Sequence, residues 1–271
     1  MAMAQPKIEQ EQSKIIQLRV INGSIEKKNQ KKYNKDGSEK KTRCNKKAGK
    51  SSEVYAFTDE SQIDLMINIF EKHIADADTP DHERIARRNK MLFILGINIS
   101  IRGSDICELK WSDFFYDDYT MKEGTSIQPI KTKRTGKYVT LAFNQAVQDV
   151  INEYISLYPI NDLSDYIFPS RKGGSISRMS AGRIVKDAAK EAGLKQNINS
   201  HSLRKTFGYH VWHSADDKQK ALVMLQFIFG HSSVTDTMKY IGIVKNDIED
   251  TFNSISLGYN RINVERKDKI V

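Results

Sequence analysis

Apolar residues fall into regular patterns only from about Phe57 onward. Before that point, residues 27–52 are nearly all Lys, Asn, Gly, Ser and Glu with Tyr33 as the single aromatic, a composition that cannot bury enough surface to fold alone. Further upstream, residues 14–21 alternate enough to suggest a short strand, without a neighbouring partner for it. Past Phe57 the stripe Ile63, Met66, Ile67, Ile69 and Phe70 predicts a helix to about Ala75, opened by Thr58, Asp59 and Glu60. A second helix, from about His82 to Asn98, ends in the apolar run 91–97 and delivers Arg102 beside Gly103, with Ser104 capping a short helix to Lys110. Residues 113–141 lose the helical period, and 125–130 with 138–141 read as a hairpin around Arg134, Thr135 and Gly136. Helices resume at about 144–157, 179–192, 201–213 and 217–229, with 165–168 extended and closed by Pro169. Gly230 reads as a helix C-cap, Ser233 and Asp236 as a capping box for the helix that carries Tyr240, and residues 245–257 as a last amphipathic helix with Ile248, Phe252 and Ile255 on one side. The expected fold is mainly α with a small antiparallel β-hairpin.

Charge divides the chain further. Its 271 residues carry a net charge of +9, yet residues 1–50 hold 14 Lys and Arg against 5 Asp and Glu, while the remainder holds 29 of each sign. The basic excess therefore belongs to one segment, which fits an arm lying along DNA phosphates better than a protein that packages nucleic acid with its whole surface. A plain solvated tail is the alternative. The expected division is a basic arm over 1–55, a folded domain over 56–257 and a basic tail over 258–271. Cys44 and Cys107 stand far apart without a Cys-x-x-Cys partner, so neither a disulfide framework nor a zinc site is suggested. No stretch approaches the apolar length of a membrane span, and the expected location is the cytoplasm.

Within the folded part, Arg102, Lys131, His201, Arg204, His231 and Tyr240 together would handle a phosphate. His201 and Arg204 are three apart, so both donors share one helix face and can converge on one anion. Guanidinium forks bind phosphate oxygens bidentately and stay charged, which suits Arg102 and Arg204 to the charge that spreads over a phosphodiester under attack. An ion pair of Arg102 with Asp105 or Glu108 is the structural alternative. His201 would orient the phosphate or move a proton, and His231 would hydrogen-bond a non-bridging oxygen. Tyr240 follows His231 closely and is the candidate nucleophile; a tyrosine that merely anchors its helix is the competing reading. A departing oxygen needs a proton, and Lys131 or Lys133 on the hairpin would supply it. Lys133, Arg134, Lys137 and Lys205 are expected to contact backbone phosphate. His210 and His213 share a helix face without a third ligand and read as packing or surface residues. The set holds no carboxylate cluster, so metal-free chemistry without a cofactor is expected.

The order Arg102, Lys131-Thr132, His201-Ser202-Leu203-Arg204, Gly230-His231 and Tyr240 resembles the tyrosine recombinase (phage integrase) family over residues 57–257. The resemblance implies that family's catalytic-domain fold and selects Lys131 over Lys133 as the acid, because Lys-Thr after an extended stretch is the family's form. It implies that Tyr240 attacks one strand of double-stranded DNA to give a 3′-phosphotyrosine, which a 5′ hydroxyl from a partner strand reseals. It further implies a homotetramer on paired DNA sites, monomeric or weakly dimeric when free, with the C-terminal helix docked on a neighbour. Relatives usually carry a helical core-binding domain where this chain offers about 55 polar residues, so either the basic arm replaces that clamp, an accessory DNA-bending protein assists as a further partner, or the sequence is a fragment or a minimal recombinase. A type IB topoisomerase and a catalytically idle DNA-binding accessory protein are the rival readings.

Overall fold

The computed structural model describes residues 53–243 and 252–255. The expected strand at 14–21, the basic arm apart from residues 53–55, most of the 245–257 helix and the basic tail lie outside the described residues. Of that last helix, Phe252 and Ile255 are described and both are exposed.

Side-chain caps set most helix starts. Helix α1 (Glu60–Ala75) begins after Asp59, whose carboxylate accepts from the Ser61 amide, and it buries Met66 and Phe70. Helix α2 (Pro80–Asn98) begins two residues before the expected His82, because Thr79 caps it by accepting from the His82 amide and Pro80 takes the first position. Helix α3 (Gly103–Cys107) is shorter than expected and is not capped by Ser104: Arg102 itself holds the N-cap position, and its carbonyl accepts from the amides of Asp105 and Ile106. The chain cannot continue helically to Lys110, since the Leu109 carbonyl accepts from Ile167 and the Trp111 amide donates to Asp165. That pairing gives the expected extended piece its partner, in an antiparallel bridge of Lys110 with Tyr166. Helix α4 (Trp111–Phe114) follows at once.

The hairpin forms, with shifted ends. Strand β1 (Gly124–Ile127) pairs antiparallel with β2 (Val139–Ala142) in the register Thr125 to Leu141 and Ile127 to Val139. Residues 128–130, expected in the first strand, leave the ladder because Pro129 has no amide to donate, and its carbonyl instead starts a 3-10 helix over Ile130–Thr135. Lys131, Lys133 and Arg134 therefore ride on a tight turn between the strands. Helices α5 (Gln145–Leu157), α6 (Arg178–Glu191), α7 (Ser200–Ser214), α8 (Lys218–Phe229) and α9 (Val234–Ile241) complete the domain, capped by Asn144, Ser177, Asn199, Asp217 and Ser233.

Three apolar clusters hold these elements. The first joins α2 to α5 through Leu95, Ile106, Trp111, Phe114, Phe143, Ile151 and Phe168, with Phe114 stacked on Phe143 at 4.6 Å. A second, built on Phe57, Phe70, Phe93, Val185 and Leu203, packs α1 and α2 against α6 and α7. Each fully buried phenylalanine contributes roughly 1.5–3 kcal/mol. The third, Leu222, Leu225, Phe229, Ile241 and Ile243, lies under Tyr240 where α7, α8 and α9 meet. Lys90 adds ion pairs to Glu71 at 2.6 Å and Glu153 at 2.8 Å, tying α1, α2 and α5 together. No helix among the described residues is long and apolar enough to cross a membrane.

Candidate active site

Arg204 is the centre of the site. It lies on the second turn of α7, is 4% exposed, and spends two of its donors on backbone: Nη1 gives a hydrogen bond to the Ser100 carbonyl at 2.7 Å and Nη2 to the Phe229 carbonyl at 2.9 Å. Its guanidinium also stacks over the Phe229 ring, 4.6 Å from the centroid. Burial lowers its pKa to about 10 and the Arg102 charge adds to that, while Tyr240 and Asp105 act in the opposite sense. Arg204 remains a cation at neutral pH.

Arg102 reaches the same place from the joint between α2 and α3, its Nη2 approaching the Phe229 carbonyl at 3.4 Å. The alternative reading, an ion pair with Asp105 or Glu108, is not what Arg102 makes. Asp105 is 4% exposed and instead accepts from the Ile130 amide at 3.0 Å, which fastens the turn bearing Lys131 to the helix that Arg102 opens. Gly103 brings that helix against the start of α7, since a Cβ there would stand 2.7 Å from Ser200 Oγ. Arg102 and His201 are thereby placed at two adjoining helix N-termini, where backbone dipoles favour an anion.

His201 donates its amide to Asn199 Oδ1, and its imidazole pKa is lowered by burial and by the charges of Arg178, Arg204, Lys205 and Arg102. His231 follows Gly230, which ends α8 in the left-handed region at φ 62°. Its Nδ1 lies 3.0 Å from Thr237 Oγ1, and the Thr237 hydroxyl in turn donates to the Ser233 carbonyl at 3.3 Å. With the Thr237 proton so committed, Nδ1–H is the donor and Nε2 is the nitrogen left for substrate. Burial, then Arg204 and Arg102, lower the His231 pKa, against a smaller opposing pull from Asp236. Of the expected capping box only half forms: Ser233 accepts from the Asp236 amide, but the Asp236 carboxylate accepts from Ser232 Oγ at 2.7 Å.

Tyr240 stands edge-on to His231 at 5.1 Å and to Phe229 at 5.2 Å, with Lys205 Nζ over its ring at 5.5 Å. A lowered phenol pKa would follow from a cationic site, yet burial wins and raises it; Arg204 and Arg102, with a side-chain hydrogen bond from Arg204, pull the other way. The desolvated ring is protonated when the site is empty. The His231 imidazole beside it, like that of His201, has its pKa held down.

The geometry thus gathers Arg102, His201, Arg204, His231 and Tyr240, while Lys131 joins only through the Asp105–Ile130 hydrogen bond. Lys133, Arg134 and Lys137 are exposed on the turn, as phosphate contacts require, but Lys205 is half-buried against Tyr240. His210 bonds the Phe57 carbonyl and His213 stacks on Tyr209, so both serve packing. Sequence reasoning missed the Ser100 and Phe229 carbonyls, Thr237, Asp105 as a tether for the turn, and exposed Arg178, whose charge reaches His201. Only Asp105 carried a signal, its spacing of three from Arg102.

The phage integrase family model matches residues 56–246 of this chain. A protein described as probable integrase/recombinase YoeC, from Bacillus subtilis (strain 168), is 38% identical over 158 residues, covering 58% of this chain and 78% of that protein. The chain belongs to the phage integrase family. Tyrosine recombinase XerD of Corynebacterium glutamicum, another relative, is 29% identical over 124 residues, covering 45% of this chain and 40% of that protein. Among solved structures, XerA recombinase superposes with a TM-score of 0.53 at 19% identity over 79% of this chain and 68% of its own. XerH recombinase, described as bound to its palindromic difH substrate after cleavage, gives 0.52 at 20% identity over 76% of this chain and 54% of its own. Helical composition and a two-stranded sheet agree with those integrase-family catalytic domains in fold. This chain spans about half of the XerH length and less of XerD.

Proposed function

We infer that this chain is a site-specific DNA recombinase, cutting and rejoining double-stranded DNA through a 3′-phosphotyrosine at Tyr240. The observation that supports the residue roles is the convergence of Arg204 and Arg102 on the carbonyl of Phe229, whose ring packs against Tyr240. A phosphodiester that displaces part of this arrangement meets two guanidinium groups and the N-terminus of α7, joined by His231 Nε2 once that nitrogen has taken up a proton. Those fixed donors stabilise charge on the non-bridging oxygens in the transition state.

The Tyr240 oxygen attacks phosphorus and gives up its proton to a neighbouring neutral imidazole, His201 or His231. The bond from phosphorus to the 5′ oxygen breaks, and Lys131 protonates that oxygen. A 5′ hydroxyl of a second strand then attacks the phosphotyrosine, reversing the proton movements and releasing Tyr240. Bond energy stays in the ester throughout, so the cycle consumes no nucleotide. Lys133, Arg134 and Lys137 lie along the backbone and set the turn over the duplex. Four protomers act on two paired sites, with an accessory DNA-bending protein supplementing the basic arm.

Incubation with a pool of nicked random duplexes, followed by sequencing of covalently attached fragments, tests this reading. Recurrent sequences among the attached fragments are expected, together with joined products from two different fragments. Attachment without sequence preference, accompanied by supercoil relaxation and no joined products, would replace it with a topoisomerase-like activity.

A further inference from the structure

Arg204 owes its aim to a residue outside the expected set. Ser100, at the joint between α2 and α3, has φ 57°, one of two non-glycine residues with positive φ among those described. It is 2% exposed, and its Oγ is buried without a hydrogen-bond partner. A serine in the left-handed region is disfavoured by its Cβ, and an unsatisfied buried hydroxyl is disfavoured again. Neither cost is offset by anything the Ser100 side chain does. What the conformation accomplishes is done by the backbone: it turns the Ser100 carbonyl inward to accept from Arg204 Nη1 at 2.7 Å, two residues before the chain emerges as Arg102.

The geometry of a guanidinium makes that contact decisive. Its five N–H donors lie in one plane, so fixing Nη1 on Ser100 and Nη2 on Phe229 fixes the plane and leaves the other N–H groups for Tyr240 and a phosphate. With the Phe229 carbonyl alone, the group could swivel about a single bond.

We propose that Ser100 is a positioning residue for the arginine clamp, its left-handed backbone setting the plane of Arg204 and the exit of Arg102. Strained backbone of this kind persists where surrounding structure holds it and clusters at functional sites. The proposal rests on the recombinase reading for its consequence in catalysis, and on the hydrogen bond alone for its consequence in stability.

The test compares the parent with Ser100→Val, Ser100→Gly, Arg204→Lys and the Ser100→Val/Arg204→Lys double variant, using the nicked duplex pool as probe. A β-branched residue resists the left-handed region and glycine enters it freely. At saturating DNA, Ser100→Val is expected to slow adduct formation about a hundredfold, the loss typical of one misdirected transition-state donor. The DNA concentration giving half-saturation should barely move. Ser100→Gly should recover the rate that valine loses. In the Arg204→Lys background, valine should change the rate by less than about threefold, because the contact it breaks is already gone. Losses that multiply, or a glycine variant as slow as valine, overturn the proposal.

Should Ser100→Val not fold, Ser100→Thr replaces it: threonine keeps a hydroxyl but its branched Cβ resists the left-handed region, which glycine enters freely. Equal rates for those two would then refute the role. If the parent forms no adduct, the recombinase reading fails by itself. The coupling is then read from the thermal unfolding of the parent, both single variants and the double variant, where additive destabilisation rejects the positioning contact.

Discussion

Gly208 on α7 decides whether Phe229 can hold its place, and Gly208→Ala probes that directly. An added Cβ would stand 2.6 Å from Ile241 Cγ2 and 2.7 and 3.0 Å from Cζ and Cε2 of the Phe229 ring. Two effects oppose each other. Within a helix, alanine is favoured over glycine by about 1 kcal/mol. Against that, carbon atoms prefer separations of about 3.5–4.0 Å, so the methyl intrudes by roughly 1 Å on buried groups. Overpacking of this order typically costs about 1–3 kcal/mol. Phe229 cannot swing away cheaply, because Arg204 stacks on one side of it, His231 and Tyr240 lie against it, and its carbonyl takes both arginines. The steric cost therefore sits near the top of its range. A net destabilisation of about 1–2 kcal/mol follows, lowering the melting temperature by roughly 2–4 °C for each kcal/mol in a domain of this size. Since the displaced groups carry Tyr240 and the arginine anchor, adduct formation measured well below the melting temperature should fall by more than tenfold. Circular dichroism melts and adduct rates on the same samples check both numbers. A Gly208→Ala protein that melts at or above the parent, as an exposed helical glycine replacement would, refutes the packing argument.

Further outcomes follow from other contacts. Asp105→Ala should free the turn that bears Lys131 and leave the Ile130 amide without its acceptor, slowing cleavage at saturating DNA while altering DNA affinity little; an unchanged rate would mean that the turn is held by other means. Lys131→Ala should be slow on an ordinary 5′ oxygen but nearly normal when that bridging oxygen is replaced by sulfur, which leaves without a proton; rescue of Lys133→Ala instead would transfer the acid role. Because burial and neighbouring cations lower the His201 and His231 pKa values, the unfolded chain binds protons that the fold resists. Their contribution to stability is complete above the ordinary imidazole pKa and is lost as pH falls through that value toward the lowered ones, so melting temperature should drop between about pH 7 and 5. His201→Gln with His231→Gln should flatten that slope, and an unaltered slope would assign it elsewhere.

Much of this architecture was legible because it is local. Helix starts at Asp59, Asn144, Asp217 and Ser233 are written in short polar side chains that accept from amides two or three residues on, and the apolar stripe of α1 follows from spacing alone. His201 and Arg204 were readable as a pair for the same reason. What stayed hidden depends on distant pairing. The stop at Cys107 comes from residues 163–167 crossing the chain, and the early end of β1 from the way Pro129 feeds a 3-10 turn. Ser100 and Phe229 act through carbonyls, which no side-chain pattern announces. The raised pKa of Tyr240 also escaped sequence reasoning, since it depends on how deeply Phe229, His231 and Lys205 bury the ring rather than on how many cations stand nearby.

The central claim is that the Tyr240 oxygen becomes bonded to DNA phosphorus. We would trap the parent and Tyr240→Phe on the nicked duplex pool, denature and digest both, and map the nucleotide-bearing peptide by mass spectrometry. A nucleotide adduct is expected on the peptide containing Tyr240 in the parent and none in Tyr240→Phe, with noncovalent DNA binding alike in the two. An adduct on any other residue, or one that survives Tyr240→Phe, would contradict that claim.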